Sequence, residues 1–204
     1  MKKILFATHN PSKLNLYRNM LKDHDYELIG LDDLKLDYEA PEIGNDVKEI
    51  AVKKVSEYSK LADLITISED TGLYFEGISD EEQPGANIRR VKDKKLNDEE
   101  VITHYLKLVN KYGGELKGYY LKNVAVCDRN GSIHTFEYKV NKLFCNKLNI
   151  KRNIGYPLDS ISITPELNKY TVDLTDDENN KMNEKCNKEI YDFLVEILTK
   201  IFQK

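Results

Sequence analysis

Two adjacent carboxylates, Glu69 and Asp70, follow the β-branched run Ile65-Thr66-Ile67 and precede Thr71-Gly72. Acids at the C-terminal end of a core strand lie where open α/β sheets bind ligands. Two hard oxygen donors close together suit Mg2+, which takes one or two carboxylates and completes its shell with water and phosphate oxygens. Neighbours on a regular strand point to opposite faces, so both acids reach one ion only if the backbone turns. Thr71-Gly72 is expected to make that turn, although an ordinary acidic turn reads the same way. Glu42, in "APEIGND", is a candidate third oxygen ligand.

Cations accompany these acids. The helical stretch over residues 46–62 carries an apolar stripe of Val47, Ile50, Ala51, Val55, Tyr58, Leu61 and Ala62, with Lys54 near its middle. An inward-facing ammonium needs a counter-charge, since an unpaired buried charge costs several kcal/mol. A carboxylate or a bound phosphate would serve, and a lysine that snorkels to the surface needs neither. Near the start, the segment "ATHNPSK" joins a strand to a helix with Asn10 as N-cap and Pro11 at the first helical position. A helix N-terminus presents backbone N–H groups and a partial positive charge, and Lys13 adds a full one, making a candidate phosphate cradle. Plain capping by Asn10 and a solvated Lys13 fit the same residues.

Other chemistries have no foothold. The GxxxxGK[ST] loop is absent, as are GxSxG and any metal-ligand spacing among His9, His24, His104 and His134. Cys127, Cys145 and Cys186 are odd in number and widely spaced, which suits neither a disulfide framework nor a zinc knot. The net charge of −4 comes from 31 basic and 35 acidic side chains, with no basic arm for nucleic acid. The opening apolar run, residues 4–7, is too short for a signal peptide or membrane span, so the expected location is cytoplasmic.

The elements that must position these groups alternate. Residues 2–8 read as a buried strand, 11–21 as a helix, "YELIGL" as a second strand, and "LDDLKLDYEAPEIGND" as a polar connection. The helix at 46–62 opens on Asp46 with Glu49 three residues on. "LITIS" is a strand that "GLYFEGI" continues, and "SDEEQPGANIRRVKDKK" is an exposed charged loop. "NDEEVITHYLKLVNKYGG" is a helix closed by glycine. "GYYLKNVAVCD" and "SIHTFEYKV" form a hairpin in which Asn130-Gly131 favours a type I′ turn. "IGYPLDSISITPE" is irregular, and a final amphipathic helix carries Ile190, Phe193, Leu194, Ile197, Leu198 and Ile201. This order predicts a mixed-sheet α/β fold in one domain over residues 1–204.

Four blocks then stand in order: Thr8-x-Asn10-x-x-Lys13; Glu42-x-Gly44 with Lys54 twelve residues after the glutamate; Ser68-Glu69-Asp70-Thr71-Gly72-Leu73 with Pro84-Gly85 and Arg90 downstream; and Gly155-Tyr156-Pro157-Leu158-Asp159. Together they resemble the inosine triphosphate pyrophosphatase family, the Ham1/RdgB-like enzymes. The resemblance implies an elongated α/β protein, its mixed β-sheet flanked by helices, with two lobes and a central cleft. It also implies a homodimer that hydrolyses non-canonical purine triphosphates such as ITP and XTP to monophosphate and pyrophosphate with Mg2+. By the same resemblance Thr8, Asn10, Lys13, Lys54 and Thr71 hold phosphates, and Glu42, Glu69 and Asp70 surround Mg2+. Asp70 also orients or deprotonates the attacking water, and Tyr156 and Asp159 meet the base.

One segment departs from the family. Where the family carries a lysine and then Ser-His-Arg to read the 6-oxo group, this chain has Asn179 and then Asn183-Glu184-Lys185. Glu184 accepts hydrogen bonds where the family donates them, and Lys185 is a donor without arginine's planar fork. Pro157 in place of glycine stiffens the neighbouring turn. The expectation is an intact catalytic apparatus with a rewritten base reader. The alternatives are a nucleotide-binding sensor that has lost turnover, or a Maf-like pyrophosphatase, against which the opening block argues.

Overall fold

The computed structural model describes residues 1–34, 38, 40, 44–91 and 94–203. Strands among them are β1 (Lys2–Phe6), β2 (Tyr26–Gly30), β3 (Ile65–Phe75), β4 (Arg90–Val91), β5 (Lys94–Lys95), β6 (Glu115–Cys127), β7 (Ile133–Cys145), β8 (Ser162–Thr164) and β9 (Lys169–Tyr170). Helices are α1 (Pro11–Met20), α2 (Leu31–Leu34), α3 (Val47–Ala62), α4 (Asp98–Lys111) and α5 (Asp176–Phe202). Seven strands share one sheet in the order β2-β1-β3-β6-β7-β8-β9. β1 runs parallel to β2 and β3, whereas β8 is antiparallel to β7 and β9, so the sheet is mixed as expected.

The chain divides into two compact units, residues 1–70, 122–138 and 183–204 in the first, and 71–121 and 139–182 in the second. In the first, the two-residue period of each strand sends alternate side chains to two helical layers. Ile4, Phe6, Ile65 and Ile67 pack with Tyr17 of α1 and Ile190 and Leu194 of α5. Leu5 and Ala7 pack with Tyr58 of α3, and Ala125 and Cys127 meet Ala51 and Val55 of the same helix. Strands covered on both faces are apolar throughout, which is why residues 4–7 form an unbroken hydrophobic run.

In the second unit α4 lays Val101, Ile102, Tyr105 and Val109 against Leu73, Phe75 and Phe144. Its start is a reciprocal capping box between Asn97 and Glu100, and Gly113 and Gly114 at φ 95° and 92° follow its end. A Cβ on Gly118 of β6 would lie 2.7 Å from the Tyr74 carbonyl oxygen, so only glycine fits there.

Several local expectations are corrected. Thr71-Gly72 makes no turn, because β3 continues unbroken to Phe75. Leu61 is 52% exposed; Ser59, one turn from Val55, takes the buried place and donates from Oγ to the Leu64 carbonyl at 2.8 Å. The hairpin turn is not type I′, since in it only Gly131 has positive φ (84°). Asp128 Oδ1 accepts from the N–H groups of Asn130 and Ser132 at 2.9 and 2.8 Å, holding a three-residue loop that needs just one left-handed residue. Part of the charged loop pairs as the β4–β5 ribbon. The polar connection begins with α2. α5 begins as early as Asp176, because Thr175 and Glu178 cap each other: Thr175 Oγ1 accepts from the Glu178 N–H at 3.2 Å and Glu178 Oε2 from the Thr175 N–H at 2.9 Å.

Candidate active site

β1 delivers the chain to the site by stopping early. Its pairing with β3 reaches Phe6 opposite Ile67, the Ala7 N–H donates to the Ile67 carbonyl at 2.8 Å, and the Thr8 N–H turns back to Phe6 at 2.8 Å. α1 follows. Asn10 caps it, with Oδ1 accepting from the N–H groups of Ser12 at 2.9 Å and Lys13 at 3.3 Å, while Thr8 Oγ1 accepts from the Asn10 N–H at 3.1 Å. The expected free N–H cradle is therefore corrected: Pro11 has no N–H, and the cap occupies the next two.

What α1 offers instead is a pair of side chains one turn apart. Lys13 Nζ lies 3.2 Å from Glu69 Oε1 and donates to the Glu69 carbonyl oxygen at 3.1 Å. The Tyr17 hydroxyl donates to Glu69 Oε2 at 2.7 Å. The Glu69 side chain is only 5% exposed. Burial works against its ionisation, but the charges of Lys13 and Lys122 and the hydrogen bonds from Tyr17 and Lys13 outweigh it and hold the carboxyl below its ordinary range. Burial, then the Glu69 charge and hydrogen bond, push the Tyr17 hydroxyl well above its own. It is the donor.

Asp70 points the other way. Lys54 Nζ of α3 donates to its Oδ1 at 2.8 Å, with both side chains largely buried at 16% and 14% exposure. The lysine on the inner stripe thus has its counter-charge. The neighbouring Ser68 hydroxyl donates to the Ala51 carbonyl at 3.0 Å and ties α3 to β3. Strand alternation puts Glu69 on the α1 and α5 side and Asp70 on the α3 side, each facing an amine from its own helix. Thr71, half-buried, follows in the same strand. Glu42 lies outside the described residues.

The fourth block lies in the second unit. Gly155 takes φ 85°; its N–H donates to Asp98 Oδ2 at 2.9 Å, and its carbonyl accepts from Arg89 Nη2 at 2.8 Å, which also pairs with Asp98 at 2.7 Å. That brace holds a turn from which the Tyr156 ring stands out, 61% exposed. Asp159 is half-buried and accepts from Asn153 Nδ2 at 2.9 Å; burial raises its carboxyl above the usual range against the pull of that bond and of Lys142. Glu184 and Lys185 sit exposed on α5, and Lys185 Nζ is 3.9 Å from Glu189.

The Ham1 family profile matches residues 4–187. The chain belongs to the Ham1 family. A protein named dITP/XTP pyrophosphatase from Borreliella burgdorferi is 30% identical over 191 residues, covering 91% of both chains. One of the same name from Thermoanaerobacter pseudethanolicus is 28% identical over 184 residues, 90% of this chain and 91% of the other. Two solved structures share the fold: a HAM1 protein from Coxiella burnetii (TM-score 0.83, 20% identity, 96% and 100% covered) and the Ham1 protein of Staphylococcus aureus (TM-score 0.77, 22% identity, 95% and 98% covered).

Three residues of this Ham1 chain were not singled out by sequence reasoning. Tyr17 is four residues after Lys13 and so shares its helical face, a spacing that signals it. Lys122 is the one cation in the apolar run "VAVC" with its lead-in "LKN", and its charge helps hold Glu69 ionised. Arg89, rather than its neighbour Arg90, braces Gly155; nothing local distinguishes the two in sequence. As metal donors, the carboxylates of Glu69 and Asp70 are of the right kind for Mg2+, which needs few protein ligands. The described residues contain no cluster of three or more His, Cys, Asp or Glu that would close a cage without further donors. Among them, too, no helix is long and apolar enough to cross a membrane.

Proposed function

We propose that the protein hydrolyses nucleoside triphosphates to the monophosphate and pyrophosphate, and that purine nucleotides of the dITP/XTP kind, for which its relatives are named, are the class to test first. The observation that carries this reading is the pairing of a buried carboxylate, Glu69, and a partly buried one, Asp70, with amines from two different helices. Such an arrangement sets an amine against each carboxylate and can accept a polyanion that brings its own cation, since each ammonium can exchange a carboxylate oxygen for a phosphate oxygen.

In this reading Lys13 and Lys54, with Thr8, Asn10 and Thr71, bind the phosphates. Glu69 and Asp70, with Glu42, hold Mg2+, which when bound supplies charge neutralisation across the phosphate oxygens. Asp70 accepts a hydrogen bond from the attacking water and takes its proton. The Lys54 ammonium, 2.8 Å from Oδ1, keeps the carboxylate aimed. Tyr156 stacks on the base, with Asp159, Glu184 and Lys185 as further base-binding candidates. The homodimer and cytoplasmic location implied by the resemblance belong to the same proposal, and light scattering and cell fractionation check them.

Pyrophosphate release from a panel of nucleotides, with and without Mg2+, tests the activity. Asp70→Asn keeps the shape of the side chain and removes the base, so turnover should fall roughly a hundred- to ten-thousand-fold while nucleotide binding persists. Normal turnover by that variant refutes the mechanism.

A further inference from the structure

The two oxygens of the Glu69 carboxylate have partners of opposite kinds. Oε1 lies 3.2 Å from Lys13 Nζ, at the tip of a long side chain that is 30% exposed. Oε2 accepts from the Tyr17 hydroxyl at 2.7 Å, and Tyr17 is fully buried. The Tyr17 ring stacks on Phe6 with centroids 4.3 Å apart and packs in one core with Ile67, Val124 and Leu194. Lys13 can leave Glu69 by swinging into solvent or onto a phosphate. Tyr17 cannot leave without unpacking that core.

A hydroxyl held in this way fixes more than the place of the carboxylate. A phenol has one proton to donate, and here Glu69 Oε2 receives it. Turning the carboxylate so that both oxygens face one ion would break this bond and strand a buried donor among apolar side chains. Departure of Lys13 therefore frees Oε1 alone. Glu69 comes to a cation with a single oxygen.

The number of oxygens that a carboxylate gives matters to the ion. Ca2+ takes many oxygens in an adaptable shell and readily uses both from one carboxylate. Mg2+ demands near-octahedral geometry and is held by one or two carboxylates, with water and phosphate oxygens completing its shell. We propose that Tyr17 is a positioning residue that keeps Glu69 Oε2 out of the coordination shell, so that Glu69 meets the cation through Oε1 alone and the site takes Mg2+ in preference to Ca2+. The proposal rests on the reading of Glu69 as a Mg2+ ligand and deepens it by naming what decides between the ions.

The test is calorimetric binding of α,β-methylene inosine triphosphate, which has no α–β anhydride oxygen to cleave, to the full chain and to Tyr17→Phe. Each is titrated in saturating Mg2+, in saturating Ca2+ and with a chelator, so the readout is independent of turnover. The parent should bind the analogue at least about ten-fold more tightly with Mg2+ than with Ca2+. Tyr17→Phe should lose most of that ratio, because removing the partner behind a metal ligand weakens the preferred ion by roughly ten-fold or more. With Ca2+, which can now use both oxygens, the variant should hold the analogue as tightly as the parent or more so. The substitution keeps the ring and its stacking, so a purely structural role for Tyr17 would weaken binding equally with both ions; that result overturns the proposal. Should Tyr17→Phe fail to fold, the parent still decides, since a parent without preference for Mg2+ overturns it too. Parent binding that is as tight with the chelator as with Mg2+ would count against the metal reading itself and remove the proposal with it. Mg2+-dependent binding with the same ratio in parent and variant would sink the proposal alone.

Discussion

Tyr17→Phe isolates the support of the buried Glu69 carboxylate. The substitution removes one oxygen and with it the 2.7 Å hydrogen bond to Oε2, leaving Lys13 in place. A hydrogen bond to a charged group is worth about 1.5–3 kcal/mol, against about 0.5–1.5 between neutral groups. At neutral pH the variant should be less stable by about 1.5–3 kcal/mol, or roughly 3–12 °C in Tm at the ~2–4 °C per kcal/mol expected for this chain length. The pH dependence follows from the direction of the Glu69 shift. Its folded pKa lies below the ordinary 4.5, so its contribution is complete above that value and is lost as pH falls through the folded pKa. Tyr17→Phe raises the folded pKa back toward 4.5, so the gap between the two proteins should be widest at pH 7 and narrow as Glu69 protonates in both. Urea unfolding of both proteins at pH 7 and again below pH 4 measures this. A penalty that is the same at both pH values would show that Tyr17 stabilises by packing, as its 4.3 Å ring stacking with Phe6 allows, and that the account of Glu69 is mistaken.

Two further substitutions probe the scaffold. Gly118→Ala sets a Cβ 2.7 Å from a carbonyl oxygen and 3.0 Å from the Phe75 ring, and should cost about 1–3 kcal/mol in urea unfolding. A loss below ~0.5 kcal/mol would mean that β3 and β6 are free to move apart there. Thr175→Ala removes a reciprocal cap at the start of α5 and should cost about 1 kcal/mol; Thr175→Ser should recover most of it.

The parts of this fold that were legible are those governed by local period and local capping. The apolar run of residues 4–7, the stripe on α3 and the Asn10 and Asp46 caps all announce themselves within a few residues, and Lys54 could be flagged simply because a cation does not belong on an inward face without a partner. The misses have a common cause in competition between equally permitted local choices. Asn130-Gly131 can make a two-residue turn, but Asp128 just before it captures two N–H groups and sets a longer loop. Leu61 and Ser59 both border the α3 stripe, and the hydroxyl is buried because the Leu64 carbonyl is there to receive it. Tyr17 and Lys122 lie 52 and 53 residues from Glu69, so their convergence on it depends on sheet order, which no window of sequence contains.

The same geometry bears on how neighbouring acids on opposite faces of a strand could serve one cation. A turn at Thr71-Gly72 is not the means, because β3 stays extended. The relevant event is on the adjoining strand. β1 stops pairing at Ile67, the chain departs into α1, and the Glu69 carbonyl, which a longer β1 would have bonded, is taken by Lys13 instead. Beyond Ile67 that edge of β3 is therefore lined by a side chain rather than by a strand. A side chain can swing away where a strand cannot. If a polyphosphate draws the Lys13 ammonium off the strand, the backbone edge at residues 69–70 opens with one carboxylate on either side of it. In the proposed reading, Glu69 and Asp70 would hold Mg2+ at that edge, with the strand itself left extended. The early end of β1 and the Lys13 bond to the Glu69 carbonyl together define that edge. Lengthening β1 by even a residue pair would close the edge and leave the two carboxylates facing different helices with nothing in common.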